Sequence, residues 1–333
     1  MKYLSIFIIS ILLISCQTKE KIEYRFYEGP IQGTTFHITY EWHTDLSEQI
    51  DSLLQAFNKS LSNFDPNSQI SKINKNETNE LDALTFEMLE TARMVYEKTN
   101  GAFDITVAPI VNAWGFGWTG KSENIIPDSL TIDSLLQFVG MNKIKIQNSK
   151  IIKNNPNIMI VTNAIAKGLS VDYVSDYLFK LGLGNFLVEI GGEIYCFGEN
   201  KNGESWRIGI DKPIQGSGEY NRENQIIINL SGKAIATSGN YRRYIESGKE
   251  KFGHSIDPRT GHSALNSVLS VSVIGNNCME CDAFATGFMV EGLEKSIQIT
   301  ESIDNIEAYF IYLDKDNEVK SIWSSGFEKH FCK

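Results

Sequence analysis

Between residues 33 and 323 the apolar residues change period repeatedly, without the regular strand–helix–strand alternation that a parallel sheet needs. That irregular mixing restricts the chain to an α+β architecture. After Gly33-Thr34-Thr35 the stretch FHITYEW alternates in twos, as a strand does. Leu46, Ile50, Leu53, Leu54, Phe57 and Leu61 then recur every three or four residues, the apolar stripe of a helix over 45–61. Asp45 with Glu48 three residues on has the spacing of a capping box. Leu84, Met88, Leu89, Ala92, Val95 and Tyr96 mark a second helix over 84–98, stopped by Asn100-Gly101. Beyond it the pattern predicts a helix over 165–181 ending at Gly182, strands at 186–190, 206–210, 225–230, 268–274, 307–313 and 318–323, and a helix over 281–299. No repeat, low-complexity tract or Pro- or Gly-rich linker divides the chain, so a single domain over 31–333 is expected.

The first 30 residues stand apart. Met1-Lys2 is a short basic start, and residues 4–14 (LSIFIISILLI) are unbroken apolar. That run is shorter than the about 20 residues a membrane-spanning helix needs, and it suits the core of a signal peptide. It ends in Leu13-Ile14-Ser15-Cys16, which looks like a bacterial lipobox. The expectation is a lipoprotein signal peptide over 1–15, then a lipidated N-terminus at Cys16 and a polar tether over 16–30. Acyl chains would hold the protein on the periplasmic side of the inner membrane, or at the outer membrane. The alternative is an ordinary N-terminal anchor with an incidental cysteine. Net charge is −10 and no basic run exists. Nucleic-acid binding needs clustered Lys and Arg, so that class is excluded.

Four cysteines remain after Cys16: Cys196, Cys278, Cys281 and Cys332. Cys278-Met279-Glu280-Cys281 is a CxxC without the second pair or His partners that zinc would need. A redox pair and two incidental small residues at a helix start both remain open.

Several short segments hold residue types suited to chemistry. Gly191-Gly192-Glu193 follows a strand, where two glycines permit a tight turn or a close backbone approach. Thr237-Ser238-Gly239 reads as a turn whose hydroxyls and N–H groups suit phosphate oxygens. His254-Ser255-Ile256-Asp257-Pro258-Arg259-Thr260-Gly261 combines turn residues with a potential base. Asp282 and Thr286 lie four apart on the predicted helix and so share a face, a hard-oxygen pair that suits magnesium. Asp282 as a plain helix cap is the competing reading. Phe103-Asp104-Ile105-Thr106-Val107 and Trp114-Gly115-Phe116-Gly117-Trp118 bracket a further stretch, where aromatics next to glycines can stack on a flat ring, although isolated aromatics of this kind are more often core.

Taken in chain order these segments resemble one family. They run Gly33-Thr34-Thr35; Gly101-Ala102-Phe103-Asp104 through Pro109; Asn163-Ala164-Ile165-Ala166-Lys167-Gly168; Gly191-Gly192; Thr237-Ser238-Gly239 with Tyr241-Arg242; His254 through Gly261; and Asp282 through Thr286. The order is similar to that of the ApbE family of FAD:protein FMN transferases over roughly residues 31–325. The resemblance implies a single T-fold-like α+β domain, FAD as substrate and magnesium as cofactor. It also implies a flavin-accepting partner protein, typically a subunit of a membrane redox complex. FMN would pass to a Thr or Ser hydroxyl through a phosphodiester, with AMP leaving. By the same resemblance the metal ligands are Asp282, Thr286 and the backbone carbonyl of Ala164. The FAD contacts fall on Gln32, Phe64, Ala102, Phe103, Asp104, Lys167 and Ile256, and His254 matches the family's transfer histidine. Two positions depart from the family: Val161 stands where an acid is frequent, and Gln32 where Met is frequent.

A base must take the proton of a hydroxyl whose own pKa is far above 7. His254, Asp257 and a metal-bound water are the candidates, and His254 is favoured because imidazole titrates near neutrality. Two other functions fit the same fold: an FAD pyrophosphatase using water as nucleophile, and a flavin-binding lipoprotein without catalysis. Retention of Asp282, Thr286 and His254 together speaks against the latter.

Overall fold

Eight strands build the central sheet: β1 (Glu23–Ile31), β2 (Thr34–Trp42), β3 (Phe186–Ile190), β4 (Glu193–Phe197), β5 (Lys233–Gly239), β6 (Val268–Gly275), β7 (Glu307–Leu313) and β8 (Val319–Trp323). They lie side by side in chain order, and each neighbouring pair is antiparallel. The computed structural model describes residues 22–119, 126–214, 223–240, 244–247 and 250–332. The lipobox with Cys16, and Tyr241-Arg242, lie outside the described residues.

The period of two along each strand sends alternate side chains to opposite faces. On β7, Ala308 and Phe310 join one core while Tyr309 and Ile311 join another. The first face is covered by α1 (Ser47–Leu61), α2 (Ala83–Lys98), α3 (Ala166–Leu181) and α4 (Cys278–Glu291). Phe57, Met88, Leu169 and Phe288 fill the space between these helices and Ile38, Val188 and Val271 of the sheet. The second face is covered by a hairpin of Trp206–Asp211 with Asn224–Leu230, together with Phe327. The whole is the expected α+β domain.

α3 and α4 cross in direct contact. A Cβ on Gly168 would lie 2.3 Å from the Cys278 carbonyl oxygen, so only glycine permits the approach. Asp172 of α3 then caps α4 from outside: its carboxylate accepts from the N–H groups of Cys278 and Met279, both at 2.8 Å. A carboxylate there also complements the positive end of the helix dipole.

Several expectations are corrected. The residues read as the end of a polar tether are strand β1, on the edge of the sheet. Its charges mislead because an edge strand tolerates Glu23, Arg25, Glu28 and Pro30; Arg25 Nε still donates to the Trp42 carbonyl (3.3 Å) and Tyr27 to Asp51 (2.7 Å). The capping box at Asp45 does not form. Asp45 Oδ1 instead accepts from Tyr40 and from the Ser47 N–H, and Leu46 occupies the cap position. The helix expected over 281–299 is two: α4 starts earlier, at Cys278, and Gly292 at φ +85° breaks it from α5 (Leu293–Glu301). Thr237-Ser238-Gly239 is not a turn but the end of β5, where Ser238 pairs with Val271.

Candidate functional site

The C-terminal end of α1, the turn between β1 and β2, the N-terminal end of α3, the β3–β4 turn and α4 enclose a cleft of about 2490 Å³. Typical small-molecule sites occupy about 300–1,000 Å³, so this one has room for a dinucleotide and for an entering segment of another protein.

One end of the cleft is built on the α3–α4 crossing. Asn277 caps α4 through its side chain, so Asp282 is no cap; it sits one turn inside, 2% exposed, with Thr286 one turn further. Asp282 Oδ2 accepts from the Gly168 N–H at 3.1 Å. As the third residue of α3, Gly168 has an N–H with no acceptor inside the helix, and Asp282 supplies one. Among the described residues nothing donates to the Ala164 carbonyl, which lies beside the cleft. Thr286 Oγ1 is 3.2 Å from Ser238 Oγ, so the end of β5 does border the cleft although it is a strand. Lys167 Nζ is 2.5 Å from Glu193 Oε1 and 3.7 Å from Asp282 Oδ1. Burial alone would lower the Lys167 pKa, but the Asp282 and Glu193 carboxylates outweigh it and hold the ammonium above its ordinary value. Burial pushes the Glu193 carboxyl upward, against the pull of Lys167.

The Gly191-Gly192 turn is the tight turn expected, with φ of +64° and +102°. Gly191 is also a close approach, since a Cβ there would lie 2.9 Å from Thr34 Cγ2 and 3.1 Å from Lys167 Cδ.

The other residues named from the resemblance fall as follows. Gln32, Phe64, Ala102, Phe103, Asp104, Ile256 and His254 all border the same cleft. Phe64 is exposed, whereas Ala102 and Phe103 are almost wholly buried in the cleft wall. Gln32 holds φ +50°, and its buried Nε2 has no partner among the described residues. The Asp104 carboxylate is turned inward: Oδ1 accepts from the Thr106 N–H (2.7 Å) and hydroxyl (2.6 Å), and Oδ2 from the Met141 N–H (3.1 Å). Burial still raises its pKa to about 6. Val161 is 5% exposed and lines the cleft beside these groups. The His254 ring meets Phe116 edge-on at 6.3 Å. Trp114 is core, its indole N–H donating to the Gly261 carbonyl at 2.9 Å.

Asp257 is the exception and a correction. It does not line the cleft; both its oxygens hold Arg259, at 2.9 and 3.0 Å, and Arg259 reaches on to the buried Glu291 of α4. A carboxylate committed to a guanidinium fork is an anchor for the loop rather than a base. Cys278 and Cys281 are free, buried thiols in the first turn of α4.

Three cleft groups were missed. Glu193 was read only as part of a turn; its burial depends on β4 pairing, which no local pattern reveals. His37 and Glu189 face each other across β2 and β3, Nδ1 to Oε2 at 2.5 Å. The alternation of both strands would have placed each on the same face, had the strand pairing been known.

Residues 32–310 match the ApbE family. Over 332 aligned residues the chain is 34% identical to the FAD:protein FMN transferase of Vibrio cholerae, covering 97% of each. It is 33% identical over 332 residues to that of Haemophilus influenzae, covering 95% of this chain and 94% of the relative. The fold superposes on a solved structure of the flavin transferase ApbE from Vibrio cholerae with a TM-score of 0.84, covering 93% of this chain and 100% of that one. The chain belongs to the ApbE family.

Proposed function

We propose that this protein transfers FMN from FAD to a Thr or Ser hydroxyl of an acceptor protein, with AMP as leaving group and magnesium as the metal. The observation that carries the reading is the Gly168–Asp282 bond, which ties the start of α3 to α4. The Asp282 carboxylate, the Thr286 hydroxyl and Ala164, whose carbonyl accepts from nothing among the described residues, border the cleft together. These are hard oxygen donors, as magnesium requires, and a site with one carboxylate is completed by substrate phosphates and water.

The chemistry a bound metal supplies here is charge neutralisation on the pyrophosphate, which makes AMP a better leaving group. The chain's own residues do the rest. The Lys167 ammonium adds positive charge beside the phosphates. The N-terminal end of α3 turns its partial positive charge toward the same place. His254 takes the proton from the acceptor oxygen as that oxygen attacks the flavin-side phosphorus.

The apolar run and Leu13-Ile14-Ser15-Cys16 support lipidation at Cys16, and with it a place on the periplasmic side of a bacterial membrane. A membrane-bound redox subunit is then the acceptor within reach. Replacing Cys16 by Ser should leave the protein unprocessed and without acyl label; normal palmitate incorporation would refute the anchor. The transfer itself is tested by incubating the soluble chain (residues 22–333) with FAD, magnesium and candidate acceptors, then measuring acceptor mass. An acceptor heavier by one FMN phosphodiester supports the reading. Free FMN with an unmodified acceptor points to the pyrophosphatase instead.

A further inference from the structure

Lys167 presents a difficulty for any metal at Asp282. A flexible ammonium close to a carboxylate is drawn to contact distance, because attraction rises as the separation falls. Asp282 Oδ2 is already used by the Gly168 N–H, so Oδ1 is the oxygen left for a cation, and Lys167 is the nearest one. Yet Nζ stands 3.7 Å from Oδ1 and only 2.5 Å from Glu193 Oε1. Glu193 opens β4, paired with Ile190, and is 3% exposed, so its carboxylate is held by the sheet. Gly191 leaves the space for this arrangement: a Cβ there would lie 3.1 Å from Lys167 Cδ and 3.4 Å from Glu193 Oε2. Oε2 has no partner among the described residues, so the carboxylate is not simply satisfied as part of a structural ion pair.

We propose that Glu193 is a positioning residue, tethering the Lys167 ammonium so that the Asp282 carboxylate stays open to the metal. The inference rests on the metal reading given under the proposed function. Without Glu193, Lys167 closes onto Asp282 and competes with the metal for Oδ1.

The test is a calorimetric titration of magnesium into the full-length protein saturated with FAD, with folding of every variant checked by thermal melts. Glu193→Gln should weaken magnesium binding by about 10–100-fold, the scale for losing a group that orients a metal ligand. Lys167→Met serves as the reference, because the lysine itself acts at the phosphates, and the double variant should match Lys167→Met in magnesium affinity, because Glu193 matters only while the lysine is present. Unchanged affinity in Glu193→Gln overturns the tether. So do independent effects that add in the double variant, which would mean that Glu193 acts only through its general field. Should Glu193→Gln fail to fold, the double variant against Lys167→Met decides alone: equal affinity supports the tether, and a tenfold loss refutes it. Asp282→Ala separates the two levels. If it binds magnesium like wild type, the metal reading falls and the tether with it. If it loses binding while Glu193→Gln keeps it, only the tether falls.

Discussion

The Gly168 N–H donates to Asp282 Oδ2 at 3.1 Å, which ties the start of α3, just after Ala164, to the first turns of α4. The bond exists because the two helices touch at Gly168, where any Cβ would collide with the Cys278 carbonyl. Gly168→Ala should therefore force the helices apart. Overpacking of this kind costs about 1–3 kcal/mol, so thermal unfolding should show a clear drop. Metal-dependent FAD binding should fall as well, even at temperatures where the variant is folded. Unaltered FAD binding would show that the crossing does not set the site.

Asp282 and Thr286 lie one turn apart on α4 and both border the cleft. With a single carboxylate the free site should bind magnesium weakly, and FAD and magnesium should each raise the other's affinity by the same factor. Asp282→Ala should abolish transfer at millimolar magnesium. Thr286→Ala should be milder and partly rescued by more metal. FAD titrations with and without magnesium decide the matter; equal FAD affinity in wild type and Asp282→Ala under both conditions, with transfer intact, would put the metal elsewhere.

His254 and Asp257 lie three residues apart but have different surroundings. His254→Ala should keep FAD affinity within a few-fold and lower transfer by about 10²–10⁴, the scale of lost general-base help. Asp257→Asn should instead loosen the Arg259 anchor to Glu291. It should lower the melting temperature and reduce transfer less than His254→Ala. A larger kinetic effect in Asp257→Asn, with stability unchanged, would reverse the assignment.

Asp104 gives a pH signature. Burial raises its pKa from 3.8 to about 6 in the folded chain. As pH rises through this window the unfolded chain releases the proton first, so the stability associated with Asp104 is present below pH 4 and lost on the way to pH 6. At about 1.4 kcal/mol per unit the loss is at most about 3 kcal/mol. Denaturant unfolding at pH 4 and pH 6 should show a smaller decline in Asp104→Asn than in wild type. FAD affinity should change only a few-fold, because the carboxylate faces Thr106 and Met141 rather than the cleft. A large loss of FAD affinity would mean that the side chain turns outward on binding.

Local pattern was enough wherever one face of an element is buried along its whole length. The apolar stripe from Ile50 to Leu61, the stop at Gly182 and the alternation of Phe186, Val188 and Ile190 were all legible, because periodicity and capping are properties of neighbouring residues. The spacing of Asp282 and Thr286 and the run of short motifs carried the family and most of the cleft. What the sequence could not contain is who sits across from whom. β1 looks polar because an edge strand has one solvated side, and Asp45 lost its cap role because Tyr40, near the end of β2, claims the same oxygen. Asp257 reads as a possible base until Arg259 and Glu291 of α4 are seen to hold its loop. Glu193 reads as a turn residue until β4 buries it against Lys167. Burial and charge pairing are sums over residues far apart in the chain, so only the packed tertiary structure decides which carboxylate faces the cleft, which anchors a loop and which holds a lysine in place.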